Sequence, residues 1–590
     1  MYSANELLEF ERYKKGITRD KLVNGICSPQ LLIKATNKGT DIELLTLEIL
    51  LERLGRSPER LEYIISNTEY ENLKLREQIE VNAFKPNYDI TNNLLNKIVP
   101  DVETASQVNK MYYHRIKAYT LFQSKITNYI ELSKSEILSA IYITLPGITI
   151  SNFKDYLIST YELENIIIYA RILIASGETQ HAAQVLQKVI AYTKDNLSDT
   201  LLQARIIPKC AYLLCSFCED IISNELCYAY CEDALNLLRD NGIVYMMIPL
   251  LELIIRYLSI LNQNTNIDTF TQSVAELQNL KREFYIDFPE NSLIFRWKKA
   301  IYHLDSEIIR AERKQKRISQ QELAANVFSN PASISYIENG KCAPNKTKFE
   351  TIMNRLGLNK PRRSGFILVN SFDTLEKIDS IRNAMARQDY NLVLDLLSTS
   401  DIADQIDSNI LDAYRIAAQN CKKYENDEKE LQNLQAAIGT NYSLTSPQYL
   451  RTPFLEELDT IITYTWKLYK SSPTEVTAIY KKLVSACHSS VIAPRYYYRV
   501  WSSIFSSHVK YNKDTLSSNE IIAICNETIK NSLLSGNGAA ISTAYWSRFM
   551  ALGENDYEQK TVLKRSYLFA ELYNEKAASI KKQRFQELAE

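Results

Sequence analysis

Residues 304–358 carry the strongest local signals of structure in the chain and read LDSEIIRAERKQKRISQQELAANVFSNPASISYIENGKCAPNKTKFETIMNRLGL. Ser319 is followed three residues later by Glu322, and this spacing is typical of a capping box, in which each residue satisfies the other's backbone N–H. The pattern predicts a short helix over 320–327.

A second short helix follows at once. Asn330 is a good N-cap, and Pro331 fits the first helical position, where its missing N–H costs nothing. Asn339 and Gly340 then predict its end, because glycine readily adopts the left-handed conformation that closes a helix. Two short helices joined by a tight turn, with a third ahead of them, predict a helix-turn-helix whose second helix would lie in a DNA major groove.

Local charge supports DNA as the partner of this stretch. The chain has 590 residues and a formal net charge of −1, which excludes a uniformly basic nucleic-acid coat protein. Residues 304–363, however, hold twelve basic and six acidic side chains, a net of +6. Because phosphate neutralisation supplies most non-specific affinity, we expect double-stranded DNA to bind here.

The same residues resemble the XRE class of lambda- and 434-type repressors. The resemblance runs without a gap through 319–324 and 334–341. It implies that Gln320 contacts phosphate, that Ala332, Ser333, Ser335 and Tyr336 face the groove, and that Lys341 contacts the DNA backbone. Arg313 and Glu338 stand where the class has an Arg–carboxylate pair, which we call the clasp and which would fix the orientation of the recognition helix. The small groove residues predict thin direct readout and a larger share of shape readout.

The N-terminal segment 7–65 resembles the same module. Thr18 and Ser28 are N-caps, and Pro29 repeats Pro331. The DNA-contacting candidates here are Arg19, Gln30 and Lys34, together with Leu31. Arg12 aligns with Arg313, but Thr36 stands in the place of Glu338, so the clasp is predicted to be missing. DNA contact and a role in folding or dimerisation both remain open for this module.

The remainder of the chain has the pattern of stacked helices. Glycine and proline are scarce, at 14 and 15 residues, which argues against barrels, sandwiches and glycine-rich phosphate loops. Apolar residues recur at helical spacing over 163–176 and 182–193, and the turn 177–181 between these runs contains a glycine. This hairpin resembles a tetratricopeptide repeat, and such repeats must stack to bury their faces. The predicted fold class is therefore all-α.

Two spacings suggest a tandem duplication. The segment 231–242 reads like 525–536, an offset of 294, and the caps Thr18 and Ser319 are 301 residues apart. Weaker traces of the second copy lie near Asp389 and over 494–507. We therefore predict four domains: a helix-turn-helix at 1–66, helical repeats at 67–300, a second helix-turn-helix at 301–363 and second repeats at 364–590.

The combination resembles the RRNPP peptide-responsive regulators of Gram-positive bacteria, the Rgg-like and PlcR-like kind used in quorum sensing. The resemblance implies a homodimer whose helical solenoid binds a short signalling peptide and repositions the DNA-binding modules. It also implies asparagines on the inner helices, but over 202–214 this sequence has Lys209 and Cys210 instead. The ligand-binding residues therefore stay unassigned.

Other chemistry is not indicated. Cys215 and Cys218 have three further cysteines nearby but no histidine, so helix packing is favoured over a metal site. No catalytic motif, cofactor site, signal peptide or membrane span is recognisable, and we expect a cytoplasmic, non-enzymatic protein. The alternative to a regulator is a helical-repeat scaffold that binds a protein partner and uses its small modules only for assembly.

Overall fold

The computed structural model describes residues 2–398 and 516–588, apart from residues 39, 41, 85–87, 264–265, 287–290, 297–300, 358–364, 368–371, 387–388, 535, 537, 539, 553–557 and 576. Between those two parts it describes only residues 415, 418, 419 and 509. The described chain is mostly helical, as the sequence predicts. Its helices, in chain order, are α1 (Ala4–Lys14), α2 (Arg19–Val23), α3 (Pro29–Lys38), α4 (Leu44–Arg53), α5 (Asn67–Phe84), α6 (Tyr88–Ile98), α7 (Gln107–Ser124), α8 (Tyr129–Thr144), α9 (Thr160–Ala175), α10 (Thr179–Asn196), α11 (Thr200–Phe217), α12 (Asn224–Asp240), α13 (Met247–Ile260), α14 (Ile267–Glu283), α15 (Asp305–Gln315), α16 (Gln320–Ala324), α17 (Ala332–Glu338), α18 (Lys346–Arg355), α19 (Phe372–Ala386), α20 (Tyr390–Ser398), α21 (Ser518–Leu534), α22 (Ile541–Ala551), α23 (Gln559–Leu572) and α24 (Ala578–Glu587).

A small mixed sheet is built from strands at the start and the end of two small helical modules, residues 2–65 and 301–367, and the all-α prediction missed it. Its strands are β1 (Tyr2–Ser3), β2 (Glu62–Ile65), β3 (Ile301–Leu304) and β4 (Gly365–Ile367), in the order β1-β4-β2-β3. β4 pairs antiparallel with β1 and β2, whereas β2 and β3 run parallel. Strands of two to four residues are too short to show an alternating pattern in a sequence.

Each small module has the same order of elements. The first consists of β1, helices α1 to α4 and β2, and the second of β3, helices α15 to α18 and β4. Because β2 and β4 are central neighbours in the sheet, the two modules are joined by backbone hydrogen bonds. The first module also contributes a residue to the hydrophobic core of the second, since Ile64 of β2 is buried with Ile309, Leu323 and Ile337.

The first helical region consists of hairpins stacked in two layers. Helices α7, α9, α11 and α13 pack on one another as well as on their hairpin partners, and we call them the inner layer. Their partners α8, α10, α12 and α14 complete the four hairpins. Apolar side chains of these helices, such as those of residues 166–168 and 250–251, are buried between them.

The last described helices pack onto the first helical region. Arg565 on α23 contacts Glu276 and Glu283 on α14, and the carbonyl of Leu572 accepts a hydrogen bond from Arg239. Most of the predicted second helical region, including the expected trace at 494–507, lies outside the described residues. The trace near Asp389 falls at the start of α20, where the Asp389 carboxylate accepts the backbone N–H of Leu392.

Candidate nucleic-acid interface

The predicted caps build helices α16 and α17. Ser319 and Glu322 form a complete capping box, in which the Ser319 hydroxyl accepts the Glu322 backbone N–H and the Glu322 carboxylate accepts that of Ser319. Asn330 Oδ1 accepts the backbone N–H of Ala332 at 2.9 Å. Gly340 then closes α17 in the left-handed conformation, with φ +67°.

Arg313 and Glu338 form the clasp between α15 and α17. Arg313 Nε and Nη2 donate to the two carboxylate oxygens of Glu338 at 2.5 and 3.0 Å, and Nη1 donates to the carbonyl of Ile318 at 2.9 Å. The hydrogen bond to Glu338 raises the pKa of Arg313, so the guanidinium stays charged. A bidentate pair of this kind fixes the angle between the helices as well as their distance.

Gln320 belongs to the same hydrogen-bond group. Its Nε2 donates to Glu338 Oε2 at 2.7 Å, so the amide predicted to meet phosphate lies on the clasp. An amide nitrogen carries two donors, which leaves one hydrogen for another acceptor. Glu338 itself is only 5% exposed, so these bonds replace the water that its charge would otherwise need.

The outward face of α17 carries the predicted groove residues. Tyr336 is 51% exposed, whereas Ala332, Ser333 and Ser335 are half-buried. The exposed ammonium of Lys341 lies 5.9 Å from the centre of the Tyr336 ring. The structure therefore brings these five residues onto the end of the module formed by α17 and its following turn.

The N-terminal module repeats the internal bonding of the second. Arg12 Nη1 donates to the carbonyl of Ile17 at 2.6 Å, as Arg313 does to Ile318. In both modules, moreover, an arginine on the fourth helix closes the C-terminal end of the second helix. Arg53 does this at the carbonyls of Leu22 and Asn24, and Arg355 at those of Leu323 and Ala325.

Arg12 has a different carboxylate partner from Arg313, so the clasp between the first and third helices is not repeated. Arg12 and Arg19 both donate to Glu9, with shortest contacts of 2.8 and 2.9 Å. Burial raises the pKa of Glu9, but the hydrogen bonds from the two arginines outweigh burial and hold the pKa below its ordinary value. The Thr36 hydroxyl donates to Leu32 within α3.

The four DNA-contacting candidates of the N-terminal module thus differ in exposure and in partners. Arg19 is held by Glu9, with 41% of its side chain exposed. Gln30 and Lys34 are exposed on α3, and Leu31 beside them is half-buried. Sequence reasoning missed Glu9, although an acidic residue three positions before Arg12 is itself the spacing of a helical ion pair.

The N-terminal module is also fixed to the first helical region. Besides closing α2, Arg53 donates to Glu162 at 2.5 and 3.1 Å and to the carbonyl of Thr144 at 3.0 Å. Both members of the Arg53–Glu162 pair are buried. Gly25, in the turn before α3, lies against the same Thr144 carbonyl.

The five cysteines between residues 210 and 231 are packed in the hydrophobic core of the first helical region. Cys210, Cys215, Cys218, Cys227 and Cys231 are all buried free thiols. Within the part of the chain that the structure describes, no group of three His, Cys, Asp or Glu side chains is placed to hold a metal ion. The described helices include none that is long and apolar enough to cross a membrane.

Comparisons with known proteins bear on the second module. Residues 309–361 match a helix-turn-helix family model. One solved structure, of PlcR from Bacillus thuringiensis in complex with the peptide PapR7 and DNA, aligns at 14% identity over 48% of this chain and 98% of that chain, with a TM-score of 0.30. A TM-score this low establishes no shared fold. No curated protein matches the chain. What the comparisons establish is a helix-turn-helix domain at residues 309–361.

Proposed function

We propose that the chain is a transcription regulator that binds duplex DNA through its helix-turn-helix domain. The observation that carries the proposal is the clasp of Arg313 and Glu338, to which Gln320 is hydrogen-bonded and which holds α17 at a fixed angle to α15. In this proposal α17 enters the major groove, Tyr336 and the small residues Ala332, Ser333 and Ser335 face base edges, and Lys341 meets the backbone. Gln320 reaches phosphate with its second amide hydrogen.

The charge of the domain favours DNA over a protein partner. The +6 of residues 304–363 stands in a chain whose formal net charge is −1. The exposed Lys341, in the turn after α17, adds a positive charge where the DNA backbone would pass. Release of condensed counterions by such residues supplies affinity without sequence preference, while the groove residues supply the preference.

We propose further that the N-terminal module is a second DNA reader, related to the first by tandem duplication. The repeated bonds of Arg12 and Arg53 support this relation, as does the central antiparallel pairing of β2 with β4. The sheet as a whole is not two-fold symmetric, because β1 pairs antiparallel with β4 whereas its counterpart β3 pairs parallel with β2. Two backbone hydrogen bonds that join distant parts of the chain also follow the duplication. Val244 N donates to Gly536, and Gly538 N donates to Gly242; Gly536 and Gly538 follow Gly242 and Val244 by 294 residues each.

The helical repeats are proposed to sense a ligand, with a short signalling peptide as the leading class. A ligand that favours one packing of the repeats would shift the population of module positions. The linkage is reciprocal, so DNA would alter the affinity for that ligand by the same factor.

A mobility-shift titration tests DNA binding. The probes are genomic fragments from upstream of the chain's own gene, measured at several salt concentrations. Lys341→Ala is expected to weaken binding on every fragment and to reduce the slope of log K against log salt by about one, because one phosphate contact is lost. Tyr336→Ala is expected to weaken binding to the preferred fragment by about 1–3 kcal/mol and to leave that slope unchanged.

Lys560→Ala, an exposed lysine on α23, is the matched control and should bind as the wild type does. No shift at low salt, or equal shifts from the wild type, Lys341→Ala and Tyr336→Ala, would contradict the regulator and leave the scaffold interpretation. Lys34→Ala on α3 tests the N-terminal reader separately.

A further inference from the structure

A short segment of the chain itself lies across the inner layer of the first helical region. Residues 291–296, which we call the strap, have the sequence NSLIFR and form no regular secondary structure. Ser292, Leu293, Ile294 and Arg296 are each at most 4% exposed. An irregular segment this deeply buried needs partners for its backbone, since unpaired buried peptide groups are costly.

Those partners are side chains of the inner layer and its connections. Lys209 on α11 donates to the carbonyls of Leu293 and Phe295 at 2.9 and 3.2 Å. Tyr245, just before α13, donates to the carbonyl of Ser292, and its ring lies 5.0 Å from that of Phe295. Hydrogen bonds to the main chain are one of the ways in which proteins bind peptide segments.

The strap ends in a charged anchor. Arg296 donates to Glu164 on α9 at 2.7 Å and to Glu52 on α4 at 2.9 Å, and its guanidinium lies 3.3 Å from the centre of the Tyr161 ring. Glu164 also accepts from Lys209 and Arg115. Burial raises the pKa of Glu164, but the positive charges of Arg296, Lys209 and Arg115 outweigh it and hold the pKa well below its ordinary value. The carboxylate is therefore charged and selects a cationic partner.

The anchor connects three parts of the molecule. Glu52 belongs to the N-terminal module, Glu164 to the helical region, and Arg296 lies five residues before β3, which opens the second module. We expect a change in strap occupancy to affect both small modules, through Glu52 in the first and through the short chain connection to β3 in the second.

We propose that the strap is a built-in ligand: residues 291–296 occupy, in cis, a binding site for a short peptide segment with two buried aliphatic residues, an aromatic residue and an arginine. Lys209 is the backbone-binding residue of this site, and Glu164 and Glu52 are its arginine-binding residues. The site is closed to other peptides while the strap is seated. The consequence for DNA rests on the proposed function, but occupancy of the site does not.

The test uses the full chain and a fluorescent, end-blocked peptide of residues 291–296. In the wild type the strap competes at an effective concentration of roughly millimolar, as expected for a tethered ligand. Arg296→Ala weakens the strap and leaves the acceptors supported, because Glu164 keeps Lys209 and Arg115, and Glu52 keeps Arg205. Fluorescence anisotropy is expected to show at least tenfold tighter peptide binding to Arg296→Ala than to wild type.

Two controls accompany this measurement. Arg282→Ala removes an arginine on α14 that contacts Asn279 at the surface, and it should bind the peptide as weakly as wild type. A peptide with glutamate in place of its arginine should not bind Arg296→Ala. Equal affinity of the two peptides, or no gain in a folded Arg296→Ala chain, would make the strap a fixed packing element and overturn the proposal.

Hydrogen exchange on the wild type decides the matter if Arg296→Ala fails to fold. Excess peptide is expected to increase exchange at the amides of 291–296 severalfold, and unchanged exchange would overturn the proposal. Neither measurement contains DNA, so a failed mobility shift and a failed peptide exchange are separate results.

Discussion

Arg313 and Arg12 occupy matching positions in the two small modules but bind different carboxylates. Arg313 reaches across to Glu338 on the recognition helix, whereas Arg12 binds Glu9 on its own helix. The first pair therefore constrains α17, and the second constrains only α1 and, through Arg19, the start of α2.

This difference predicts unequal effects of one conservative change. Arg313→Lys removes the bidentate geometry and leaves Glu338 buried, so we expect it to destabilise α17 by about 1.5–3 kcal/mol and to weaken DNA binding. Hydrogen exchange at the α17 amides measures the loss of local stability. Arg12→Lys is the matched control and should leave the exchange of α17 unaltered; equal effects of both variants would contradict a special role for the clasp.

The cysteines give a second prediction at this scale. Cys342 is exposed, while Cys210 is buried and Cys27 is half-buried. Burial raises the pKa of Cys27 to about 11 and raises that of Cys210 further, so little thiolate forms at pH 8. A thiol reagent mapped by mass spectrometry is expected to modify Cys342 at least tenfold faster than either; rapid labelling of Cys210 would contradict the described packing.

At the scale of elements, the contact between the turn before α3 and the end of α8 sets how the N-terminal module sits. Gly25 has φ +72°, and a Cβ there would overlap the carbonyl of Thr144. Gly16 has a similar φ of +63° but open space around it. A side chain at either glycine would be strained by the left-handed backbone, but only at Gly25 would it also overlap a neighbouring carbonyl.

Alanine at the two positions separates these effects. Gly16→Ala is expected to cost about 1–2 kcal/mol, the price of a left-handed alanine. Gly25→Ala should cost clearly more, because the backbone of α8 must also shift. Thermal unfolding of the two variants side by side measures the difference, and equal midpoints would show that the module does not depend on this contact.

How much of this could be predicted from sequence depends on the range of each interaction. Ser319, Asn330 and the Arg313–Glu338 pair were predictable, because caps and the class motif fix local geometry. Glu9 was not predicted as the partner of Arg12, because only the residue aligned with Glu338 was considered as a partner. The strap could not be predicted, because its sequence NSLIFR does not indicate that Arg296 binds Glu52 and Glu164, which are distant in the chain. The peptide ligand stays a prediction.

At the scale of the whole molecule, both modules lie in one chain and share a sheet. A single chain would then supply both of the proposed DNA readers. We predict that one chain binds each DNA site, and that Lys34→Ala and Lys341→Ala weaken protection at different halves of the footprint.

Sedimentation of the DNA complex gives the number of chains, and footprinting gives the halves. Two chains on each site would favour the homodimer that the resemblance implies. Protection lost in both halves from either single variant would also count against two independent readers.

The shared sheet has a consequence for how such a protein can change over generations. In a symmetric dimer, one mutation in the gene alters both reading helices, so the two halves of the target must change together. Here α3 and α17 are encoded separately, while the pairing of β2 with β4 keeps them in one assembly. If both modules read DNA as proposed, each helix is free to acquire its own sequence preference, and a target site has no need to be a palindrome.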